Sequence, residues 1–323
     1  MKYLITGGAG FIGSHLVNRL AASDHEITVL DSFETSSSLF SRKTRENVRV
    51  IQGSIQNDNL VASLIKENEQ IIHLAAAVGV ANIVDSPLRG LKTNVLGSEV
   101  VIRNCATFEK PLFFTSSSEI YGKNTSDALD ELSDRVIGVP QKSRWSYSDS
   151  KAIEEAFAFA YQKEMNLEFK AVRLFNTVGP GQSGDYGMVL PRLINSALSG
   201  NDLIVYGNGQ QTRCFMHVDD AINGILMMLK SDVATNQVYN LGHPSEISII
   251  ELARKVIAFS KSKSKIELVR FEDVYGPAFE DMERRVPNIE KARRDLDWWP
   301  KIDIDEIIRQ SVSYHTEVKA SEN

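Results

Sequence analysis

The stretch Gly7-Gly8-Ala9-Gly10-Phe11-Ile12-Gly13 joins a short apolar run, Tyr3–Thr6, to an amphipathic one, Phe11–Ala22. A strand that turns into a helix through closely spaced glycines restricts the architecture. The turn must be tight, and the strand and helix must pack against each other, as in a βαβ unit. The same rhythm continues along the first half of the chain. Glu26–Leu30, Val48–Gln52, Gln70–Leu74 and Leu112–Thr115 read as strands, and Asp58–Lys66 and Leu91–Thr107 read as helices. A long helix over Tyr147–Glu164 and a strand over Phe169–Leu174 follow. This alternation predicts an α/β fold: a Rossmann-type, doubly wound parallel sheet with helices on both faces.

The pattern loosens after Asn176, where Gly179, Pro180, Gly181, Gly184 and Gly187 mark a long loop and Tyr206–Arg213 a glycine- and glutamine-rich turn. Helices expected over Val189–Ser199, Asp219–Leu229 and Ile249–Phe259 alternate with short strands. The expected division is therefore a dinucleotide-binding domain over 1–175 and a smaller mixed α/β lobe over 176–315. Segments near 210–240 should return to the first domain, and 316–323 should form a flexible tail. Thr35–Ser41 and Ser260–Lys265 read as exposed loops.

Composition narrows the function classes. A net charge of -6 leaves no basic excess to neutralise a nucleic-acid backbone. Cys105 and Cys214 cannot build a disulfide framework and read as buried apolar side chains. No apolar run reaches membrane-spanning length, so a cytoplasmic protein is expected. His73, His217 and His243 lack metal-ligand spacing, and no metal is expected.

Two patterns carry chemistry. Gly7, Gly10 and Gly13 allow close approach of a pyrophosphate to a helix N-terminus. Asp31 ends the second predicted strand about 20 residues further on, where a carboxylate accepts from a ribose hydroxyl. That carboxylate would repel a 2′-phosphate, which favours NAD over NADP. The second pattern is Tyr147-Ser148-Asp149-Ser150-Lys151, which puts Tyr147 and Lys151 on one helix face. A tyrosine titrates near pH ~10 in water. A nearby ammonium, with the charge of an oxidised nicotinamide, favours the phenolate that a base needs. Thr115-Ser116-Ser117-Ser118 closes a strand at the edge where such sheets present side chains to ligands.

TGGAGFIG, HLAA, SSSEIYG, YSDSK, RLFNTVGP and VYGNGQQTR, in that order over residues 2 to about 315, resemble the extended short-chain dehydrogenase/reductase family. The resemblance implies bound NAD, a nucleotide-sugar substrate and a homodimer built on helices, here Leu91–Thr107 and Tyr147–Glu164. It implies that Ser117 orients a sugar hydroxyl, Tyr147 is the acid/base, and Lys151 holds ribose and tunes Tyr147. It extends the cofactor site to Phe11, Ile12, Ser54, Ile55, Leu74, Ala75, Ala76 and Asn94. Asn176 and Arg213 would contact the diphosphate, with Val189 and Arg192 nearby and Tyr206 close to the base. Ser54 stands where the family often carries an acid.

Oxidation at C4 of the sugar opens three reactions: 4-epimerisation, 4,6-dehydration and, for a uronic acid, decarboxylation. Glu119 departs from simple epimerases. Ser118 stands where dehydratases carry an acidic aspartate, and a serine is too weak an acid for that role. The Ser118-Glu119 pair, Arg144-Trp145-Ser146-Tyr147 and the segment 275–287 resemble UDP-glucuronic acid decarboxylases. In them the arginine matching Arg285 is a proton donor at C5, and a tyrosine stands in place of Phe279. The expectation is therefore a UDP-glucuronic acid decarboxylase, ahead of a UDP-sugar 4-epimerase. A 4,6-dehydratase and a non-catalytic NAD-binding regulator follow.

Overall fold

The computed structural model describes residues 1–34, 48–79, 85–184, 187–275, 280, 282 and 284–322. Phe279 and the loop Thr35–Ser41 lie outside them. The early strands are β1 (Lys2–Thr6), β2 (Glu26–Asp31), β3 (Val48–Gln52), β4 (Gln70–His73), β5 (Leu112–Ser117) and β6 (Phe169–Leu174). They are followed by β7 (Thr177–Val178), β8 (Leu203–Tyr206), β9 (Thr212–Cys214), β10 (Met216–His217), β11 (Gln237–Leu241), β12 (Glu246–Ser248) and β13 (Ile266–Val269). Seven of these make one parallel sheet in the order β11-β6-β5-β4-β1-β2-β3. The strand order reverses between β1 and β4, and in open parallel sheets ligands bind at such a crevice, beyond the strands' C-terminal ends.

Side chains alternate across the sheet, as the two-residue period of a strand requires. Tyr3 and Ile5 of β1 pack with Leu16, Val17 and Leu20 of the helix Phe11–Ala21 on one face. Leu4 joins Val61, Leu64, Val101 and Ile102 on the other. Each fully buried aliphatic side chain stabilises the fold by about 1.5–3 kcal/mol. Cys105 and Cys214 are free and buried.

A third cluster, with Leu190, Leu193, Val205, Leu252 and Ile308 among its members, fills the C-terminal lobe. There β8 pairs with β13, β9 with β12 and β7 with β10. The last helix, Ile304–Glu322, runs through the segment expected to be a free tail, and Lys319 Nζ reaches Ser199 Oγ at 2.6 Å. That segment is helix rather than coil. No helix among the described residues is long and apolar enough to cross a membrane.

The helix expected over Leu91–Thr107 differs in one respect. It begins at Pro87, winds as a π-helix over Lys92–Gly97 and becomes α-helical from Ser98. The wider turn places Asn94, which is buried, so that its amide pairs with both backbone groups of Ala77, at 2.7 and 3.0 Å. Such π-turns tend to occur at functional sites, and this one anchors the loop that leaves β4.

The helix Ser146–Met165 is unusual in what it hides. Its buried residues include Ser148, Ser150, Lys151, Glu154 and Glu155, a polar stripe facing the sheet. Burying such groups is costly unless they are hydrogen-bonded or paired. The partners they find define the site.

Candidate active site

The glycine turn opens at the C-terminal end of β1. Gly7 has φ +71°, and a Cβ there would lie 2.6 Å from Ala75 N; on Gly13 it would lie 2.2 Å from Gly7 O. Only glycine fits either position. The helix that follows has no acidic residue in its first turn and no side-chain cap at Gly10. Its first N–H groups are thus available to an anion. Asp31 is buried, and its carboxylate accepts from Ala9 N and Phe33 N, both at 2.9 Å. These contacts fix it at the end of β2 beside the turn. The arrangement has the shape, the donors and the terminal carboxylate that a dinucleotide with a free ribose 2′-hydroxyl requires.

The other residues named for this site are placed as follows. Phe11 and Ile12 start the helix and pack on the first core cluster, as does Leu74. Ala75 N lies 3.4 Å from Thr6 Oγ1, and Ala76 continues the same loop. Ile55 is buried, whereas Ser54 is exposed and its hydroxyl accepts from Gln56 N at 3.2 Å. Asn94 spends its amide on Ala77 and Ser150 Oγ, so it acts on the β4 loop through the protein itself.

Beyond β5 the chain turns through a 3-10 helix, Ser118–Tyr121, capped by Ser117 Oγ, which accepts from Glu119 N at 3.2 Å. The Ser117 hydroxyl also faces the Tyr147 phenol. Burial raises the phenol above its ordinary range. The Lys151 ammonium and the Ser117 hydroxyl work against that rise, while Glu119 and Glu154 add to it. Lys151 therefore acts in the expected direction, but burial outweighs it in the protein alone. Lys151 Nζ donates to Thr115 O at 2.7 Å and to Glu154 Oε2 at 2.6 Å. Burial would lower its pKa, and Glu154, Tyr147 and Glu155 together more than offset this.

Glu119 is held between two arginines. Arg144 Nη1 lies 2.6 Å from one oxygen and Arg285 Nη1 2.5 Å from the other, and both arginines are 5% exposed. Burial pushes the carboxyl up, but the two guanidinium charges hold it well below the usual carboxylate range. Arg285 Nη2 also donates to Asn176 Oδ1 at 2.9 Å, and Asn176 Nδ2 donates to Cys214 O at 2.8 Å. Ser118 is buried at the same turn. The structure thus brings Ser117, Ser118, Glu119, Tyr147, Lys151, Asn176 and Arg285 together. Asn176, expected at a diphosphate, is committed to Arg285 and to β9.

In the C-terminal lobe Val189 and Arg192 open the helix Val189–Leu198, and the Arg192 guanidinium stacks 4.5 Å over the Tyr206 ring. Arg213 Nη1 donates to Thr212 O at 2.8 Å. Arg213 precedes Cys214, whose carbonyl accepts from Asn176.

Sequence reasoning missed the parts played by Arg144 and Glu154. The available signal was helical spacing: Arg144 lies three residues before Tyr147, and Glu154 seven after it, on the face that carries the lysine.

Comparison with known proteins agrees with this geometry. The sequence profile of the family described as GDP-mannose 4,6 dehydratase matches residues 4–311. A UDP-N-acetyl-alpha-D-glucosaminuronate decarboxylase from Bacillus cytotoxicus is 35% identical, with 98% of each chain covered. UDP-glucuronic acid decarboxylase 1 from Xenopus tropicalis is 33% identical over 97% of this chain and 72% of its own length. Among solved structures, a dTDP-glucose 4,6-dehydratase from Bacillus anthracis in complex with NAD superposes with a TM-score of 0.84. It is 27% identical, and the alignment covers 99% of this chain and 98% of that one.

Proposed function

This chain belongs to the GDP-mannose 4,6 dehydratase family, within the extended short-chain dehydrogenases/reductases, and from that premise we propose that it is an NAD-dependent UDP-glucuronic acid decarboxylase. The observation that carries the reading is the ion-paired Glu119, held by Arg144 and Arg285 beside Ser117 and Tyr147. Relatives that decarboxylate UDP-linked uronic acids support it. A 4,6-dehydratase needs a stronger acid than the hydroxyl of Ser118 at this turn.

NAD would be held by the turn Gly7–Gly13 and by Asp31, and it would supply a reversible acceptor for the hydride from C4 of the sugar. Ser117 orients the C4 hydroxyl, and Tyr147 takes its proton at the phenolic oxygen. Lys151 favours the phenolate. The resulting ketone lies β to the substrate carboxylate, so the C5–C6 bond can break with its electron pair drawn toward the ketone oxygen. CO2 leaves, and Arg285 delivers a proton to C5. Glu119 and Asn176 hold Arg285 in place, and Arg144 shares the Glu119 carboxylate with it.

The test is to give the purified holoenzyme UDP-glucuronic acid and, separately, its 2-N-acetylated counterpart. CO2 and a UDP-pentose or UDP-4-keto-pentose should form from the first. CO2 from the N-acetylated sugar alone would reassign the substrate. Interconversion of UDP-glucuronate and UDP-galacturonate without CO2 would replace decarboxylation by 4-epimerisation.

The reading extends to a homodimer in the cytoplasm. Leu88, Leu91 and Leu96 on the segment Pro87–Thr107, and Ile153, Phe159 and Met165 on the helix Ser146–Met165, are exposed apolar side chains on helices that pack together. They suit a four-helix interface with a second copy. Sedimentation velocity should give about twice the monomer mass of 36.0 kDa. A monomer at micromolar concentration would remove the dimer.

A further inference from the structure

Tyr147, Lys151 and Glu154 stand at i, i+4 and i+7 on one helix, so a single stripe carries a phenol, an ammonium and a carboxyl group. Glu154 is fully buried, at 0% exposure, and its Oε2 accepts from Lys151 Nζ at 2.6 Å. Its other oxygen, Oε1, has no hydrogen-bond partner and lies 3.6 Å from His73 Nε2. His73 is engaged elsewhere: Nδ1 is 2.6 Å from Thr6 Oγ1 and Nε2 is 2.9 Å from Ser98 Oγ. Burial and the nearby Lys151 charge push the imidazole down to about 3, so it stays neutral. Glu155, on the same helix, is occupied by Arg173 at 2.7 Å and by Ser116 Oγ at 2.5 Å. The groups facing Glu154 are therefore Lys151 and Glu155 on its own helix and neutral His73 on β4, and the Tyr147 phenol beyond the lysine feels both Glu154 and Glu119.

A lysine meant to acidify a phenol is hindered by a carboxylate at its own ammonium, because the two charges largely cancel as seen from the phenol. Nothing in the alcohol-oxidation chemistry calls for that carboxylate. Its fixed contact does, however, hold Nζ between Thr115 O and the helix. We propose that Glu154 is a positioning residue for the proton-transfer group: it holds Lys151 and tempers its charge, and so sets the pH range in which Tyr147 accepts the substrate proton. The inference rests on the acid/base role assigned to Tyr147 above. Burial, opposed by Lys151 and reinforced by Glu155, pushes the Glu154 carboxyl up to about 7. Its charge therefore changes near neutral pH. Below that point Lys151 acts on the phenol unopposed, and above it the carboxylate cancels part of that action.

The test compares pH–rate profiles of the holoenzyme with those of Glu154→Gln and Glu154→Asp. Glutamine keeps the size and the acceptor for Nζ but loses the charge, so the acid limb should move down by about half a unit to one unit. Aspartate keeps the charge and should return the limb toward the parent position. A glutamine variant with a lower rate and an unmoved limb would make Glu154 a structural residue and overturn the proposal. A second measurement needs no turnover, so it fails separately from the assigned reaction and does not depend on the glutamine variant folding. Infrared titration of the parent holoenzyme should show a carboxylic-acid band lost near neutral pH and displaced in Glu154→Asp. Absence of such a band would equally overturn the proposal.

Discussion

Replacing Tyr147 by phenylalanine is expected to lower turnover about 10^3-fold or more while leaving the dinucleotide bound. A positioned acid/base contributes about 10^2–10^4 to a rate. The ring survives the change, so packing at the start of the helix is preserved, and the structural loss is at most one hydrogen bond from the phenol. A net hydrogen bond is worth about 1 kcal/mol, far less than the kinetic loss requires. The glycine turn and Asp31 are untouched, so cofactor retention should match the parent. Steady-state kinetics and the bound dinucleotide, measured on one preparation, check both halves. A variant that kept its rate would show that the reaction uses another base.

Glu119→Gln is expected to have the second largest effect, on stability and on rate together. Removing one partner of a buried ion pair costs about 3–5 kcal/mol, because the remaining charge is left uncompensated. Here two guanidinium groups share the one carboxylate, and both arginines are buried. The variant should unfold at clearly lower temperature, and CO2 release should fall by about 10^2-fold as Arg285 loses its anchor. Stability should also respond to pH in a set direction. The folded-state pKa lies below the ordinary value of 4.5, so the contribution is present above 4.5 and is lost as pH falls through the lower folded value. The stability gap between parent and variant should be flat from neutral pH to about 5 and shrink below 4.5. A full stability loss with an unchanged rate would make Glu119 a clamp with no part in the chemistry.

The features legible in the sequence were those set by local spacing. The glycine turn, the alternation of strands and helices, and the Tyr147–Lys151 pair each follow from rules that act within one or two turns of chain. The position of Ser117 at a strand end follows from the same alternation. The parallel sheet agrees with what that alternation implies. The Glu119 group was only half legible. Glu119 and Arg285 are 166 residues apart and meet only because the fold brings the turn after β5 and the loop before Glu290 together. Arg144 looked like part of a motif, and nothing local showed that its guanidinium turns inward. Glu154 was missed because an acid in a helix is normally read as a solvated side chain, and only the tertiary fold shows that its stripe faces the sheet. The π-turn at Lys92–Gly97 was missed for a related reason. Apolar periodicity over Leu91–Thr107 is compatible with a plain α-helix, and the wider turn is set by the contact of Asn94 with a different loop.

The claim on which the proposed function turns is that CO2 can leave only after the C4 hydroxyl has been oxidised, with Tyr147 as the proton acceptor. It is tested most directly with UDP-glucuronic acid in which that hydroxyl is replaced by hydrogen. The account predicts that this analogue competes with UDP-glucuronic acid for the holoenzyme and releases no CO2. Release of CO2 from it at a rate comparable to the parent substrate would contradict the account.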